Sequence, residues 1–361
     1  MGLIRLLLAL AVVLFHAGYI FGFTYLDGLM AVQSFFIISG FYMSLILNEK
    51  YTGKNSYTLF ISNRLLRLFP AYILIIALTF IMICVFSRIG IPSEVNTNYS
   101  GKSFLSKFYV FFINLFLLGQ DTSLFLGFDS NGVLHYAADF YKSSPPVYKY
   151  LLCPQAWSIS IELLFYSIAP FIVRRKLQII IVVMSLSFVL RLVLYSKGFY
   201  RDPWTYRFFP TELFFFLLGN IGYRIYTCIR ERESARKAGL IMLITLVVFA
   251  LVFNYLPGTY YIKQYAFYLF LAASVPFIFN YTRNFSSDRF IGELSYPVYL
   301  SHMLVLWFFL PLLNRAFNFP NSLSGILTVI ITLLFSYAIQ VLVEKRMDKF
   351  RAKRLERHNA V

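Results

Sequence analysis

Long apolar runs recur along the whole chain, and short polar stretches separate each run from the next. A helix of about 20 apolar residues spans the hydrocarbon core of a bilayer, where backbone groups left free find no hydrogen-bond partner. The runs lack the period-two alternation of a membrane strand, so they predict an all-α, polytopic membrane protein. They lie near residues 3–21, 28–48, 69–89, 104–119, 155–173, 177–196, 208–226, 239–256, 262–280, 292–312 and 323–343.

The composition excludes a soluble fold. Hydrophobic residues make up 59% of the 361 residues, more than a soluble domain of this size can bury. The formal net charge of +17 is concentrated in clusters beside the apolar runs, as the positive-inside rule requires of cytoplasmic segments. We therefore expect membrane lipid around the chain and no nucleic-acid partner. The clusters span residues 50–67, 174–176, 230–237 and 345–357.

These clusters also decide the number of membrane crossings. All four fall on the cytoplasmic side only if the run at 104–119 does not cross. The sequence therefore predicts ten transmembrane helices, both termini cytoplasmic, and 104–119 as a re-entrant or partial segment. Residues 1–344 then form one transmembrane domain, and residues 345–361 a charged cytoplasmic tail that extends the last helix or is disordered. The polar stretch 120–154 faces outward.

The first apolar run carries two ionisable side chains, Arg5 at its start and His16 deep inside it. Eleven residues make about three helical turns, so the two side chains share one face and lie about 16 Å apart. An ionisable group at this depth costs free energy in lipid and therefore indicates a functional site. The alternative is a histidine that is hydrogen-bonded by a neighbouring helix.

The segment SNRLLRLFPAY, residues 62–72, places Arg64 and Arg67 one helical turn apart. Two guanidinium groups at the inner mouth of a membrane protein can hold phosphates in a fork geometry. The alternative is an anchor that only follows the positive-inside rule. Pro70 suits the first turn of the following span, which is therefore expected to begin near residue 69.

Two further segments, PQAWSISIELLFY and GELSYPVYLSHMLV, place polar side chains at helical spacing inside predicted spans. In the first, Ser158 and Glu162 stand one turn apart, and a carboxylate at that depth needs a partner. In the second, an i, i+4, i+7 stripe combines Ser295, Tyr299 and His302. A functional site and structural pairing between helices both stay open for these groups.

Five segments, taken in order, resemble the acyltransferase 3 family of membrane-bound O-acyltransferases: RLLLALAVVLFH, AVQSFFIISGF, NRLLRLFPAY, AWSISIELLFY and GELSYPVYLSH. The resemblance implies a ten-helix enzyme of the bacterial inner membrane that moves an acyl group, commonly acetyl, from cytoplasmic acyl-CoA to a hydroxyl. The implied acceptor is a carbohydrate or glycolipid of the cell surface or an exported glycan. Acyl-CoA is the implied co-substrate, with no tightly bound cofactor and no metal.

The resemblance also assigns roles to the positions that match the family motifs. These positions are His16 and Glu162 for catalysis; Arg5, Arg64 and Arg67 for acyl-CoA; and Trp157, Ser158, Ser295, Tyr299 and His302 for substrate binding. The chain departs from the family pattern at Gln33, where many members carry an acid. It departs again at Leu163 and Leu164, which follow the glutamate.

Acyl transfer to an alcohol requires removal of the hydroxyl proton, and histidine suits that role near neutral pH. We expect His16 to be the general base, oriented by Glu162 and reached by the pantetheine arm of acyl-CoA along the bundle axis. A covalent acyl-histidine intermediate is one alternative. Another is a transporter or flippase for a lipid-linked sugar or small molecule. The sequence leaves the acceptor, the acyl chain and the oligomeric state open.

Overall fold

A computed structural model describes residues 1–18, 26–200, 202–320 and 323–359. The chain is 78% helical with almost no strand, as the apolar runs predict. The α-helices of the described residues are α1 (Gly2–Ala17), α2 (Gly28–Glu49), α3 (Ser56–Arg88), α4 (Phe104–Phe116), α5 (Trp157–Ile172), α6 (Leu177–Ser196), α7 (Phe209–Ile229), α8 (Glu233–Val252), α9 (Tyr260–Thr282), α10 (Ser286–Leu304), α11 (Leu310–Phe317), α12 (Ser324–Ile339) and α13 (Lys345–Asn359).

Shorter elements connect these helices. Two π-helical turns, Val305–Phe309 and Gln340–Glu344, join α10 to α11 and α12 to α13. An antiparallel hairpin pairs β1 (Leu126–Phe128) with β2 (Leu134–Tyr136) in the long loop between α4 and α5. The 3₁₀ turns are Asp121–Phe125, Phe140–Lys142, Val147–Tyr150, Pro154–Ala156 and Phe253–Tyr255.

The helices have the lengths that a membrane protein requires. Among the described residues, eight are long and apolar enough to cross a membrane: Gly28–Glu49, Ser56–Arg88, Pro154–Ile172, Leu177–Ser196, Glu233–Tyr255, Tyr260–Thr282, Ser286–Phe317 and Ser324–His358. The apolar helices α1 and α4 are shorter. An all-α membrane fold is therefore confirmed, while the count of ten spans and the side on which the termini lie stay predictions.

The segment predicted to be re-entrant or partial forms α4. This helix has 13 residues and is therefore about 20 Å long, against a hydrocarbon core of about 30 Å. Its length fits a partial segment. Its Asn114 amide donates to the carbonyl of Tyr150 at 3.1 Å, which holds the helix against the loop that precedes α5.

The expected start of the third span is wrong. Helix α3 begins at Ser56, and Pro70 lies inside it rather than in its first turn. A membrane helix tolerates an internal proline because the groups it frees are satisfied locally. Because of this early start, Arg64 and Arg67 lie within α3 and not in the loop that precedes it.

Helices α2 and α7 cross in close contact because each contributes a glycine at the crossing. A Cβ atom added to Gly40 would lie 1.9 Å from the carbonyl oxygen of Phe216. A Cβ added to Gly219 would lie 2.0 Å from the carbonyl oxygen of Ile37. Both distances are far below van der Waals contact, so only glycine fits where the two backbones meet.

Helices α1 and α10 meet in the same way at Gly2 and Gly292. A Cβ added to Gly292 would lie 2.6 Å from the Cα of Gly2. The carboxylate of Asp288 accepts the backbone N–H groups of Gly2 at 2.8 Å and Leu3 at 3.0 Å, so it caps the first turn of α1. This contact fixes α1 along α10.

The charged C-terminal segment is a helix over its described residues. Helix α13 follows α12 through a π-helical turn and packs on the start of α3. Arg354 on α13 donates to Ser62 Oγ at 2.9 Å and to Asn63 Oδ1 at 3.2 Å. Of the two expectations for this tail, helix extension is therefore correct.

The α2–α7 crossing yields a stability prediction. Replacing Gly219 with alanine forces the two helices apart, and overpacking of this kind costs about 1–3 kcal/mol. Thermal unfolding of the detergent-solubilised variant should show a midpoint several degrees lower. Gly222→Ala on the same helix is the control, because the added Cβ would lie 3.3 Å from its nearest atom. This variant should lower the unfolding temperature less. Equal losses in the two variants would contradict the crossing geometry.

Candidate active site

A deep cavity opens at the end of the bundle where α1 begins. Its volume is about 600 Å³, and α1, α2, α3, α5, α10 and α13 contribute to its walls. Most of the lining is apolar, but polar side chains gather at its two ends. We call the end near residue 1 the basic end and the opposite end the inner end.

The basic end carries an excess of positive charge. Arg5, Arg64 and Arg67 all line the cavity, so the fold brings these three predicted site residues together, while their role stays a prediction. The described lining includes further basic side chains that sequence reasoning missed: Lys50, Arg283, Arg289 and Arg351. The carboxylates in the same lining are Glu162, Asp288, Glu293 and Asp348. Cations therefore outnumber anions, which suits a polyanionic ligand.

Aromatic rings hold two of these arginines. The guanidinium carbon of Arg5 lies 5.9 Å from the ring centroid of Tyr42, and that of Arg64 lies 5.9 Å from the ring centroid of Phe60. The buried Nε of Arg64 has no hydrogen-bond partner among the described residues. A cation–π contact orients a guanidinium without using its N–H groups, which in Arg64 leaves the Nε without a hydrogen bond.

A hydrogen-bonded link between α5 and α10 closes the inner end. The hydroxyls of Ser158 and Tyr299, both of which line the cavity, lie 2.7 Å apart. Tyr299 also donates its hydroxyl to the carbonyl of Gln155 at 2.7 Å. The sequence predicted both residues as site residues from their separate helices, and the fold joins them.

Two imidazoles lie beyond this link. The ring of His302 lies 5.9 Å from that of Tyr299 and 5.2 Å from that of His16, measured between centroids. His16 Nδ1 lies 2.9 Å from the carbonyl oxygen of Val12, and His302 Nδ1 lies 2.6 Å from that of Tyr299. A carbonyl oxygen only accepts, so both Nδ1 atoms carry a proton, and in the neutral form of each ring Nε2 carries the lone pair.

The two histidines differ in their surroundings. His302 is fully buried, and its Nε2 has no hydrogen-bond partner among the described residues. His16 is exposed near the end of α1, next to residues 19–25, which lie outside the described part of the chain. Neither imidazole belongs to the described lining of the cavity. Tyr299 and His302 link the described cavity lining to His16 through successive ring contacts, and the expected path from the arginines to His16 stays a prediction.

The expected contact between Glu162 and His16 is also not formed. The carboxylate of Glu162 accepts the hydroxyl of Tyr166 at 2.7 Å, and that hydroxyl lies 3.3 Å from Ser39 Oγ. Glu162 stands one turn, about 6 Å, beyond Ser158 toward the basic end. Glu162 therefore lines the cavity together with the arginines. His16 lies at the C-terminal end of α1, where its ring contacts that of His302.

Trp157 and Ser295 have less direct places at the site. Trp157 is buried outside the described cavity lining, with its ring 4.8 Å from that of Tyr206 and 4.3 Å from the guanidinium carbon of Arg207. Ser295 lines the cavity, but its hydroxyl donates to the carbonyl of Gly292 on its own helix at 2.6 Å. Both positions support the walls of the site.

The departure at Gln33 has a structural explanation. Its amide donates to Glu212 Oε2 at 2.9 Å, and its amide oxygen accepts the hydroxyl of Tyr268 at 2.6 Å. Glu212 is fully buried and forms an ion pair with Arg191 at 3.0 Å. An acid at position 33 would set two carboxylates against one arginine, so the neutral amide suits this chain. The sequence pattern did not indicate the pairing of Glu212 with Arg191.

The loop before α5 closes the opposite face of the bundle from the basic end. Ser160 of α5 donates to Asp121 Oδ1 at 2.7 Å. Burial raises the pKa of the Asp121 carboxyl above its ordinary value, and the hydrogen bond from Ser160 offsets part of this rise. Tyr136 and Tyr141 project from the loop and are 61% and 67% exposed. Among the described residues, no group of three or more His, Cys, Asp or Glu side chains could hold a metal ion.

Comparison with known proteins agrees with this architecture. A family model described as an acyltransferase domain, Acyl_transf_3, matches residues 1–341. A curated protein of Aquifex aeolicus (strain VF5), described as uncharacterized, is 27% identical over 202 residues, which cover 55% of this chain and 89% of that protein. No solved structure matches the chain significantly. Since the family model spans nearly the whole chain, the chain belongs to the acyltransferase 3 family.

Proposed function

We propose that this protein is an integral membrane O-acyltransferase that moves an acyl group, commonly acetyl, from cytoplasmic acyl-CoA to a hydroxyl of a cell-surface or exported glycan. Membership of the family supports acyl transfer. The observation that carries the proposal is the arrangement along α1. Arg5 stands in the basic wall of the cavity, and His16 lies about 16 Å away against His302, beyond the Ser158–Tyr299 link.

The donor enters at the basic end in this proposal. Arg5, Arg64 and Arg67 hold the phosphates of acyl-CoA, because guanidinium groups match phosphate oxygens in a bidentate geometry. The largely apolar cavity between the two ends accommodates the pantetheine arm. The thioester then lies at the inner end, next to Ser158 and Tyr299. The positive-inside rule, which places the basic clusters in the cytoplasm, supports this direction of entry.

The acceptor approaches from the face of His16. Its hydroxyl gives a proton to the imidazole Nε2 while its oxygen attacks the thioester carbonyl carbon. The resulting oxyanion takes hydrogen bonds from Ser158 and Tyr299 once their mutual link opens. The carbon–sulfur bond then breaks, and the leaving thiolate takes the proton back from the imidazolium. This sequence needs the inner link to open, since that link separates the cavity from the imidazoles.

His302 is proposed to position His16 instead of exchanging protons with the substrate. Its ring packs at 5.2 Å against that of His16 and is itself fixed by Tyr299. Glu162 is proposed to act at the basic end, where its carboxylate holds Tyr166 near the arginines. In this proposal His302, and not Glu162 as the sequence suggested, orients His16.

The proposed general base, His16, yields a prediction. His16→Ala should lower the rate of acyl transfer about 100-fold or more, because a general base contributes that much to proton removal. The measurement is release of free coenzyme A thiol from acetyl-CoA by the protein in lipid vesicles with acceptor glycan, combined with mass spectrometry of the glycan. His358→Ala is the control, since this histidine lies on α13 outside the site. Retained transfer by His16→Ala would refute the role, and glycan transport without thiol release would refute the enzyme.

The proposed binding of acyl-CoA by Arg67 yields another prediction. Arg67→Ala should raise the KM for acyl-CoA about tenfold while kcat changes little, as expected for loss of one charge-assisted contact to phosphate. Arg88→Ala removes a charge from the exposed far end of the same helix and should leave KM unchanged. An unaltered KM in Arg67→Ala would remove this residue from the donor site.

A further inference from the structure

The C-terminal helix α13 forms one wall of the cavity although it lies outside the family domain. The family model ends at residue 341, and α13 begins at Lys345. Four of its residues line the cavity at i, i+3, i+4 and i+7 spacing, which places them on one helix face: Asp348, Arg351, Ala352 and Leu355. The family motifs therefore do not account for this part of the basic end.

This wall is held in place independently of any ligand. Arg354, three residues after Arg351, donates to Ser62 and Asn63 on α3. Arg64, which follows Asn63 directly, lines the same cavity. The docking of α13 on α3 thus brings Arg351 to the basic end together with Arg64.

Arg351 is only partly satisfied in this position. Its Nη2 pairs with Asp348 one turn earlier on the same helix, and its buried Nε has no hydrogen-bond partner among the described residues. The side chain is 11% exposed, whereas that of Asp348 is 32% exposed. The buried Nε of Arg64 is likewise unpartnered. Two buried guanidinium groups with unused donors at one cavity end indicate a site for an anion that accepts several hydrogen bonds.

We infer that Arg351 is a phosphate-binding residue of the acyl-CoA site, and that a donor phosphate displaces Asp348 from it. The chemistry is that of a phosphate with forked acceptor oxygens, which a planar guanidinium matches and a carboxylate such as Asp348 imitates. The displaced carboxylate turns toward solvent, to which it is already the more exposed partner. Helix α13 thereby becomes part of the donor site.

A phospholipid headgroup offers the same chemistry as a donor phosphate. The donor is favoured because Arg351 shares its cavity with Arg5, Arg64 and Arg67, which the proposed function already gives to acyl-CoA. The inference rests on that proposed function, and its experiment separates the two. Binding of coenzyme A by the unaltered protein tests the proposed function, whereas the change on mutation tests Arg351.

The experiment is a titration of the full-length protein in neutral detergent with coenzyme A, followed by calorimetry. Arg351→Ala should weaken binding about tenfold, and Arg351→Lys should weaken it less, because an ammonium group keeps the charge but loses the fork. Asp348→Asn should tighten binding by removing the competitor. Lys353→Ala is the matched control, since it removes one exposed positive charge from the same helix. Thermal unfolding of each variant checks that the helix still folds.

The outcomes are distinct. Wild-type affinity in Arg351→Ala, or an equal loss in Lys353→Ala, overturns the role of Arg351 and leaves the acyltransferase proposal intact. Weaker binding in Asp348→Asn overturns the exchange of partners. Failure of the unaltered protein to bind coenzyme A overturns both proposals. A second titration in phosphatidylglycerol micelles distinguishes the source, because a headgroup site would fill with lipid and abolish the difference between Arg351→Ala and wild type.

Discussion

The close contact of α1 with α10 is the constraint on which the site depends. Gly2 and Gly292 let the two backbones approach to a distance that no Cβ atom permits. Because His16 lies about four helical turns beyond Gly2 on α1, this contact at one end fixes where His16 meets His302 at the other. The same helix carries Arg5 into the cavity. One helix thus sets the separation between the basic end of the cavity and the imidazoles, and the glycine contact sets the direction of that helix.

The distribution of charge follows from the cost of ionised groups in an apolar surrounding. Buried arginines are stable only with partners, and this chain supplies them in different ways. Arg191 has the carboxylate of Glu212, so it belongs to a satisfied structural network. Arg5 and Arg64 rest on aromatic rings, and the Nε of Arg64 stays unused. Arg191 is therefore paired within the fold, whereas Arg64 keeps an unused donor in the wall of the cavity.

The inner link gives the site two compartments. The hydroxyls of Ser158 and Tyr299 meet at 2.7 Å, with the cavity on one side and the imidazole pair on the other. If the proposed function holds, this partition keeps the thioester away from the exposed face of His16 until the link opens, and so limits transfer to water. The proposed entry of donor and acceptor from opposite faces of the membrane depends on this partition.

The sequence by itself determined the all-α membrane fold, because apolar length and the lack of strand alternation leave no other way to satisfy the backbone in lipid. It also singled out Arg5, His16, Arg64 and Arg67 as site candidates, since ionisable groups in or beside a membrane span cost free energy. Only the tertiary structure decided their partners. Periodicity reports the face of a helix but not its neighbour, so the pairing of His16 with His302 instead of Glu162 was not predictable. The position of Arg351 in the cavity wall was not predictable for the same reason, because the sequence of a charged tail does not show that it packs against α3.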